Sequence, residues 1–266
     1  MDTWRLLKLE THNAFMNMAI DESILRARIE GLAPNTLRFY RWKPSAVSIG
    51  RFQKIGDEVQ LENCRKYGVD VVRRITGGGA VYHDAGNEIT YSVIANKRDM
   101  ETEDIAAVYA RIYAGLAEAL KIFEINADFN QGTSRTCPNL TVCGKKISGS
   151  AQSHKMGVVL QHGTLLLGVN LEKMFALLRV PWAKTCMEIV NIARHRISSL
   201  NNELDRTVSV QEIHQALIKG FGKALNVRLL EGELTTSEHK LAGKLCEGRY
   251  TTDIWNIYGK DIYEKP

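Results

Sequence analysis

The feature that most constrains this 266-residue chain is the segment 71–94, VVRRITGGGAVYHDAGNEITYSVI. The β-branched runs on either side predict strands, and the glycines from Gly77 to Gly79 predict a loop between them. Glycine permits positive φ and lets the backbone lie against a ligand without interference from a Cβ atom. Because a strand and not a helix follows, the loop is not a dinucleotide-binding turn. No Gly-Lys-Ser/Thr follows either, which excludes a P-loop.

Two interpretations of this loop stay open on the residues alone. It is either a flexible hairpin connection or a site where peptide N–H groups bind a phosphate or carboxylate. The two arginines before it favour the second. Neighbouring strand residues point to opposite faces. We therefore expect only one of Arg73 and Arg74 to face the ligand, and the other to lie in a salt bridge or at the surface.

A second cluster is CGKKISGSAQ, at 143–152. A lysine on a predicted strand here could hold an ammonium group against an anionic intermediate. The alternative is a solvated lysine on an edge strand. Taken separately, the two clusters predict only that the protein binds a phosphate-bearing small molecule.

The remaining pattern predicts an α+β (mixed α/β) fold, with a large mixed β-sheet flanked by helices. Apolar residues recur at helical spacing in the segments that begin near residues 14 and 105. Ser209 and Glu212 predict a capping box before a third helix. TLRFYRW, AVSIGRF and GVVLQHGTLLLGV are typical of strands. We expect a single domain over 1–266, with a helix-rich C-terminal part from about 203.

Composition limits the partners. The formal charge is +5 with no Lys/Arg-rich block, which suits an acidic partner or a phosphate and indicates no nucleic-acid arm. No apolar run approaches the roughly 20 residues that cross a bilayer. The five scattered cysteines lack zinc-site spacing and predict free thiols, with no metal bound by the protein. We expect a cytoplasmic protein that binds neither nucleic acid nor membrane.

Taken together, RRITGGGAVYHDAGN, GKKISGSAQ and LQHGTLLL resemble the lipoate–protein ligase A and octanoyltransferase family. MNMAIDESIL, LRFYRWKPSAVSIGRFQ and YTTDIWN look like further segments of that family in the same order, so the resemblance covers nearly the whole chain. It implies the biotin/lipoyl protein ligase fold, which is similar to that of class II aminoacyl-tRNA synthetases. Biotin–protein ligase fits less well, because charged residues usually separate the glycines of its motif.

The form GGGAVYHDAGN looks like the ligase branch of the family, because its third glycine, Gly79, has no side chain and leaves room for AMP. The resemblance therefore implies a lipoate–protein ligase, which uses ATP and Mg²⁺ to convert lipoate (or octanoate) to lipoyl-AMP. The acyl group then passes to a lysine of a lipoyl-domain protein, of the 2-oxoacid dehydrogenase E2 or glycine cleavage H protein type. Two-domain ligases continue past the YTTDIWN-like segment. Without that C-terminal accessory domain, we expect a separate accessory subunit or a single-domain variant.

The resemblance also implies site residues. Lys146 would be catalytic, because a fixed cation can bridge an activated carboxyl and a phosphate. The other adenylate-binding residues would be Arg74, Gly77, Gly78, Gly79, Ala80, Val81 and Tyr82. The acyl pocket would comprise Gly78, His83, Ser148, Gly149, Ser150, Ala151, His162 and Gly163. Among these, His83 is expected to fix the loop by hydrogen bonds and not to react.

Two alternatives remain. Octanoyltransferases of the same family carry octanoate from acyl carrier protein as a cysteine thioester, and DTWRLL and EITYSVI look closer to that branch. Cys137 lies in the loop region where such a nucleophile is found, and Arg135 could lower the pKa of Cys137. The other alternative is a non-catalytic binder of lipoate or of a lipoyl domain. The presence of Lys146 beside an intact glycine loop argues against it.

Overall fold

A computed structural model describes residues 1–102, 104–133, 137–180, 182–183 and 185–261. The strands are β1 (Asp2–Leu7), β2 (Glu10–His12), β3 (Thr36–Trp42), β4 (Ala46–Ile49), β5 (Asp70–Arg73), β6 (Val81–His83), β7 (Glu88–Asn96), β8 (Asp128–Asn130), β9 (Asn139–Val142), β10 (Lys145–Lys155), β11 (Val158–Leu166) and β12 (Val227–Gly232). The α-helices are α1 (Ala14–Ile29), α2 (Ile55–Glu58), α3 (Leu61–Lys66), α4 (Ile105–Lys121), α5 (Leu171–Leu177), α6 (Cys186–Arg194), α7 (Leu200–Leu204), α8 (Val210–Leu225), α9 (Thr236–Leu245) and α10 (Asp253–Asn256). A 3₁₀ turn spans Lys97–Met100, and a π-helical turn spans Cys246–Tyr250.

The strands form two sheets. The large sheet has the order β12-β1-β3-β7-β11-β10-β9-β8, and β2 pairs with β3 beside it. Its pairing is mixed, because β1 runs parallel to β12 and β3 whereas β7, β11 and β10 are antiparallel neighbours. The second sheet is β5-β4-β6. The predicted α+β architecture with a large mixed sheet is confirmed.

Helices cover both faces of the large sheet. The apolar stripes of α4 and α8 pack on one face, together with core residues of β3, β7 and β11. Helix α1 packs against strands on the other face, with α9 outside it. The predicted capping box is present at the start of α8, where Ser209 Oγ accepts from Glu212 N and Glu212 Oε2 accepts from Ser209 N.

The small sheet carries the glycine loop. Strands β3 and β4 are close in the sequence, yet β4 leaves the large sheet and pairs with β5 and β6. The loop between β5 and β6 then packs on the residue that follows β4. A Cβ atom added to Gly50 would lie 2.0 Å from the carbonyl oxygen of Gly78. This contact requires glycine at position 50.

Within the described ranges, no helix is long and apolar enough to cross a membrane.

Candidate functional site

The glycine loop, β10 and β11 border a cavity of about 470 Å³. Its buried lining includes the large side chains of Met18 from α1 and of Tyr40 and Trp42 from β3. Two reactive side chains, Cys137 and Lys146, line the solvent-accessible side. The remaining lining residues are Ser48, Arg74, Gly78, Gly79, Ala80, Val81, His83, Thr90, Pro138, Asn139, Gly149, Ser150, Ala151, His162, Gly163 and Thr164. A cavity of this kind suits an aliphatic chain with a polar, reactive end.

Lys146 is held in place by its backbone. Its N–H donates to Arg196 O at 2.8 Å, and its carbonyl accepts from Ser198 N at 2.9 Å. The register of β10 shifts just after this residue. The side chain then lies over Gly149, where an added Cβ would come within 2.7 Å of the Lys146 ammonium nitrogen. The side chain reaches solvent through the cavity, but the surrounding protein still lowers the pKa of Lys146, and nearby Cys137 opposes that shift.

Cys137 projects its sulfur towards the glycine loop. A Cβ atom on Gly78 would lie 3.8 Å from Cys137 Sγ. The residue after it is anchored, because Tyr113 of α4 donates its hydroxyl to Pro138 O at 3.1 Å. Ser150 Oγ in turn donates to the Tyr113 hydroxyl at 2.8 Å. This chain of hydrogen bonds ties the cysteine segment to β10. Arg135, which was expected to act on Cys137, lies outside the described residues.

Arg74 lies beneath the glycine loop and is buried. It uses all five N–H groups of its guanidinium within the protein. Two bonds from Nη2 reach the carbonyls of Gly77 and Gly79, at 2.9 and 3.0 Å. The other bonds go to Ser48 and Thr76. Burial lowers the pKa of Arg74 to about 10, and Cys137 opposes the shift. Arg74 therefore shapes the loop and supplies charge, and a direct bond to a bound phosphate would first require one of these bonds to break.

The expected placement of Arg73 is wrong. It points away from the cavity, as strand alternation predicts, but it is buried, and no carboxylate of the described residues forms a salt bridge with it. Its guanidinium donates to carbonyls of Gly50, Arg51, Gln53, Trp255, Asn256 and Ile257. The C-terminal segment covers this side of β5, so main-chain carbonyls take the place of a carboxylate.

His83 and His162 are buried beside the loop. His83 Nε2 lies 2.7 Å from Ser48 Oγ, and its Nδ1 lies 2.8 Å from Glu88 Oε1. The ring of His83 also stacks on Trp42, with 4.0 Å between the ring centroids. Both partners lie outside the glycine loop, so the expected role of His83 in fixing the loop stays a prediction.

Most of the residues predicted for the site border the same cavity, but three do not. Gly77 contributes only its carbonyl to Arg74. Tyr82 faces the core of the small sheet, and its hydroxyl donates to Asp84. Ser148 is buried within the large sheet, opposite Leu165. Sequence reasoning also missed part of the lining, namely Met18, Tyr40, Trp42, Ser48, Thr90, Pro138, Asn139 and Thr164. Most of these lie in distant elements, and no local pattern marks them.

Comparison with known proteins places this chain in a family. The model of the lipoyl protein ligase A/B catalytic domain matches residues 13–222. The chain belongs to this family. It is 37% identical to octanoyltransferase LipM of Brevibacillus brevis over 97% of this chain and 99% of the relative. It is 36% identical to LipM of Clostridioides difficile over 96% of this chain and 99% of the relative.

Solved structures agree on the family. A bipartite lipoate protein ligase of Thermoplasma acidophilum, described with its E2 lipoyl domain, superposes with a TM-score of 0.86 at 32% identity and covers 98% of this chain and 100% of its own. A lipoate–protein ligase A bound with ATP gives a TM-score of 0.83 at 32% identity, with 97% and 99% of the two chains covered. The predicted family and fold are therefore confirmed.

The prediction of an ATP-dependent, adenylate-forming ligase is wrong. Sequence relatives that are 34–37% identical over at least 96% of this chain are octanoyltransferases, and transfer of an octanoyl group starts from an acyl group that is already activated. The prediction relied on the third glycine leaving room for AMP. A Cβ atom on Gly79 would meet nothing within 4 Å, and Gly79 is not among the positive-φ glycines. Position 79 accepts a side chain, so glycine there does not indicate a nucleotide. The expected ATP and Mg²⁺ lose their support with the ligase.

Proposed function

We propose that this protein is an octanoyltransferase that carries octanoate from acyl carrier protein to a lipoyl-domain lysine through a thioester on Cys137. The observation that carries the proposal is the position of the Cys137 sulfur. It lies at the glycine loop, beside Lys146 and Arg74, on a cavity whose lining includes Met18, Tyr40 and Trp42. Similarity to octanoyltransferases over the whole chain supports it.

In the first step, the Cys137 thiolate attacks the carbonyl carbon of octanoyl–acyl carrier protein. A new bond forms between Cys137 Sγ and this carbon, and the bond to the carrier sulfur breaks. The carrier leaves as a thiolate and takes up a proton. The octanoyl chain lies against Met18, Tyr40 and Trp42, because burial of apolar surface favours that end of the cavity.

Charge develops at the sulfur and at the thioester oxygen during both steps. Arg74 provides positive potential there in both steps, Lys146 adds to it when it is protonated, and a partly buried site strengthens the effect. Gly78 and Gly79 add two N–H groups that have no hydrogen-bond acceptor in the described part of the chain. In this proposal those N–H groups donate hydrogen bonds to the thioester oxygen.

In the second step, the neutral amine of an acceptor lysine attacks the carbonyl of the Cys137 thioester. An amide bond forms, the bond to Cys137 Sγ breaks, and the amine loses a proton. Because its pKa is lowered, Lys146 can take that proton when it is in its neutral form. The acceptor in this proposal is a lipoyl domain of the E2 or glycine cleavage H protein type in the cytoplasm. The charge of +5 would steer an acidic domain of this kind.

The test mixes the purified protein with octanoyl–acyl carrier protein and an apo-lipoyl domain, without ATP, and follows both proteins by mass. We expect the enzyme to gain one octanoyl group first and the acceptor to gain it afterwards. Cys137→Ala should abolish both gains. A requirement for ATP, or an undiminished acyl-enzyme in Cys137→Ala, would contradict the proposal.

Matched variants separate Cys137 from the other thiols. Cys143 and Cys186 are also exposed, but neither lines the cavity. Cys143→Ala and Cys186→Ala should therefore form the octanoyl-enzyme like the wild type. Lys146→Ala should abolish transfer to the acceptor, and near-normal transfer would remove Lys146 from the mechanism.

A further inference from the structure

Arg74 is the meeting point of two hydrogen-bonded chains with the same chemical order. In the first, Arg74 Nη1 donates to Ser48 Oγ at 2.7 Å, Ser48 contacts His83 Nε2, and His83 Nδ1 contacts Glu88. The order is guanidinium, hydroxyl, imidazole and carboxylate. All four side chains are nine-tenths or more buried.

The second chain leaves the guanidinium through its Nε. This atom donates to Thr76 Oγ1 at 3.3 Å, and Thr76 Oγ1 lies 2.8 Å from His162 Nε2. His162 Nδ1 then lies 3.0 Å from Asp21 Oδ2. Asp21 forms a salt bridge with a different arginine, because Arg38 Nη1 donates to its other carboxylate oxygen at 2.8 Å.

The direction of every proton in these chains follows from the donors. A guanidinium can only donate, so each hydroxyl oxygen accepts from Arg74. The carboxylate at the far end of each chain can only accept, so the single N–H of a neutral imidazole is on Nδ1 and points to the carboxylate. Nε2 is then an acceptor, and the hydroxyl donates its proton to it. Hydrogen-bond accounting therefore assigns the same Nδ1–H tautomer to His83 and His162.

This arrangement provides hydrogen-bond acceptors for the guanidinium of Arg74 without neutralising its charge. In the described part of the chain, no carboxylate lies within salt-bridge distance of Arg74. The nearest ones in the two chains, Glu88 and Asp21, are each separated from it by a hydroxyl and an imidazole ring. Coulombic energy falls with distance. The positive potential of Arg74 is therefore retained on the cavity side, where it couples to Cys137.

We infer that His83 and His162 are positioning residues, which hold Arg74 as a fixed cation beside Cys137 while keeping carboxylates out of contact with it. The inference rests on the proposed function in taking Cys137 as the nucleophile. The two imidazoles act through Arg74 and do not react. Arg74 in turn fixes the glycine loop through the carbonyls of Gly77 and Gly79.

The decisive experiment compares Thr76→Asp with Thr76→Asn. The two side chains have the same shape, so both variants disturb the packing equally. Only Asp places a carboxylate next to Arg74. The rate of Cys137 alkylation by iodoacetamide is measured by peptide mass, which separates it from Cys143 and Cys186.

We expect Thr76→Asp to react about tenfold more slowly than Thr76→Asn, which corresponds to about 1.4 kcal/mol of lost electrostatic stabilisation. Equal rates in the two variants would overturn the inference. A second pair guards against misfolding of both variants. Thr76→Val removes the hydroxyl and should slow the alkylation, whereas Thr76→Ser keeps it and should restore the rate. Equal rates for Val and Ser would also overturn the inference.

A spectroscopic measurement on the unmodified protein tests the two hydrogen-bonded chains at Arg74 directly. In ¹⁵N NMR spectra of the histidine side chains near neutral pH, we expect His83 and His162 to carry their proton on Nδ1. A proton on Nε2 of either ring would contradict the hydrogen-bonding pattern described for the two chains. Alkylation and NMR need no acyl substrate. If both give the expected result and octanoyl transfer still fails, the proposed function is wrong and the inference about Arg74 stands.

Discussion

At the scale of single residues, the glycines of the site have unequal roles. Gly78 has a φ of +90°, and a Cβ there would come within 3.4 Å of both Ala151 Cβ and Arg74 Nη2. Gly149 is required because Lys146 lies over it. A Cβ on Gly77 or Gly79 would meet open space. The printed run Gly-Gly-Gly does not reveal this difference, since it depends on which neighbours the fold brings to each position.

Gly149→Ala tests the placement of Lys146. The new methyl group would lie 2.7 Å from the ammonium nitrogen, so the flexible lysine side chain must move. We expect octanoyl transfer to fall by about tenfold or more, because misplacement of a catalytic group by about 1 Å is costly. The thermal midpoint should change little. The rate of acceptor modification and a melting curve measure the two effects.

Gly243→Ala is the matched control. It replaces a glycine inside α9 where a Cβ would meet nothing within 4 Å. We expect stability to rise by about 0.5–1 kcal/mol through helix propensity, with transfer unchanged. Undiminished transfer in Gly149→Ala would show that Lys146 does not need its observed position.

The stability of the protein should depend on pH through His162 and His214. Burial is the main cause that lowers the pKa of each ring below its ordinary value of 6.5. The unfolded chain therefore binds more protons than the folded protein as pH falls below about 6.5. We expect these rings to lower the free energy of unfolding as pH falls through this window. Their contribution is fully present above it.

Urea unfolding at a series of pH values measures this dependence. His214 is away from the cavity and packs edge-on against Phe39, at 5.3 Å between ring centroids. The variant His214→Gln should show a smaller loss of stability between neutral and mildly acidic pH. A loss as large as that of the wild type would mean that His214 does not contribute.

At the scale of secondary-structure elements, α4 and α8 pack in close contact. A Cβ on Gly220 would lie 2.4 Å from Gly115 O and 2.5 Å from Ala119 N. A Cβ on Gly115 would lie 2.7 Å from the ring of Phe221. The two helices approach this closely because glycines face each other. Helix α4 also carries Tyr113, so this packing positions the segment of Cys137.

The pair Gly220→Ala and Gly222→Ala tests this contact within one helix. At Gly220 the methyl group would meet backbone atoms that cannot move aside, and we expect a loss of about 1–3 kcal/mol. At Gly222 the nearest atom would be 3.6 Å away, and helix propensity should add about 0.5–1 kcal/mol. Chemical unfolding of both variants gives the comparison. Equal stabilities would argue against close packing of α4 and α8.

At the scale of the whole molecule, distant parts of the chain meet around the site. Strand β1 pairs in parallel with β12 near the other end of the chain. The segment at 255–257 contacts Arg73, just before the glycine loop. Trp255 Nε1 donates to Arg73 O at 2.8 Å, and Asn256 Oδ1 accepts from Arg73 N at 2.9 Å. The C-terminal segment therefore holds the strand that leads into the site.

Arg73→Lys should weaken this connection. Lysine cannot reproduce the planar set of donors that reaches six carbonyls, and unsatisfied buried carbonyls cost about 1–3 kcal/mol. Urea unfolding measures the loss. Arg65→Lys, at an exposed position of α3, is the control and should stay within about 0.5 kcal/mol of the wild type. A similar small effect in Arg73→Lys would remove this residue as a structural anchor.

Much of the fold could be predicted because it follows from local patterns. The helical spacing after residue 14 and the capping box at Ser209 correspond to α1 and α8. Strands such as β3 and β11 were visible as β-branched and aromatic runs. Strand β1 was missed, because its partners are β12 and β3 and its own six residues carry no clear alternation. The single domain over 1–266 stays a prediction.

The sequence by itself determined the family, the presence of a glycine loop beside a lysine strand, and the expectation that one arginine faces the cavity. These depend on neighbours along the chain. Only the tertiary structure decided that Cys137 lies at Gly78, that Gly79 has open space, and that Arg74 is held by two imidazole chains. Those contacts join residues up to 141 positions apart, as between Asp21 and His162. No local pattern encodes such a distance, because folding alone brings these side chains together.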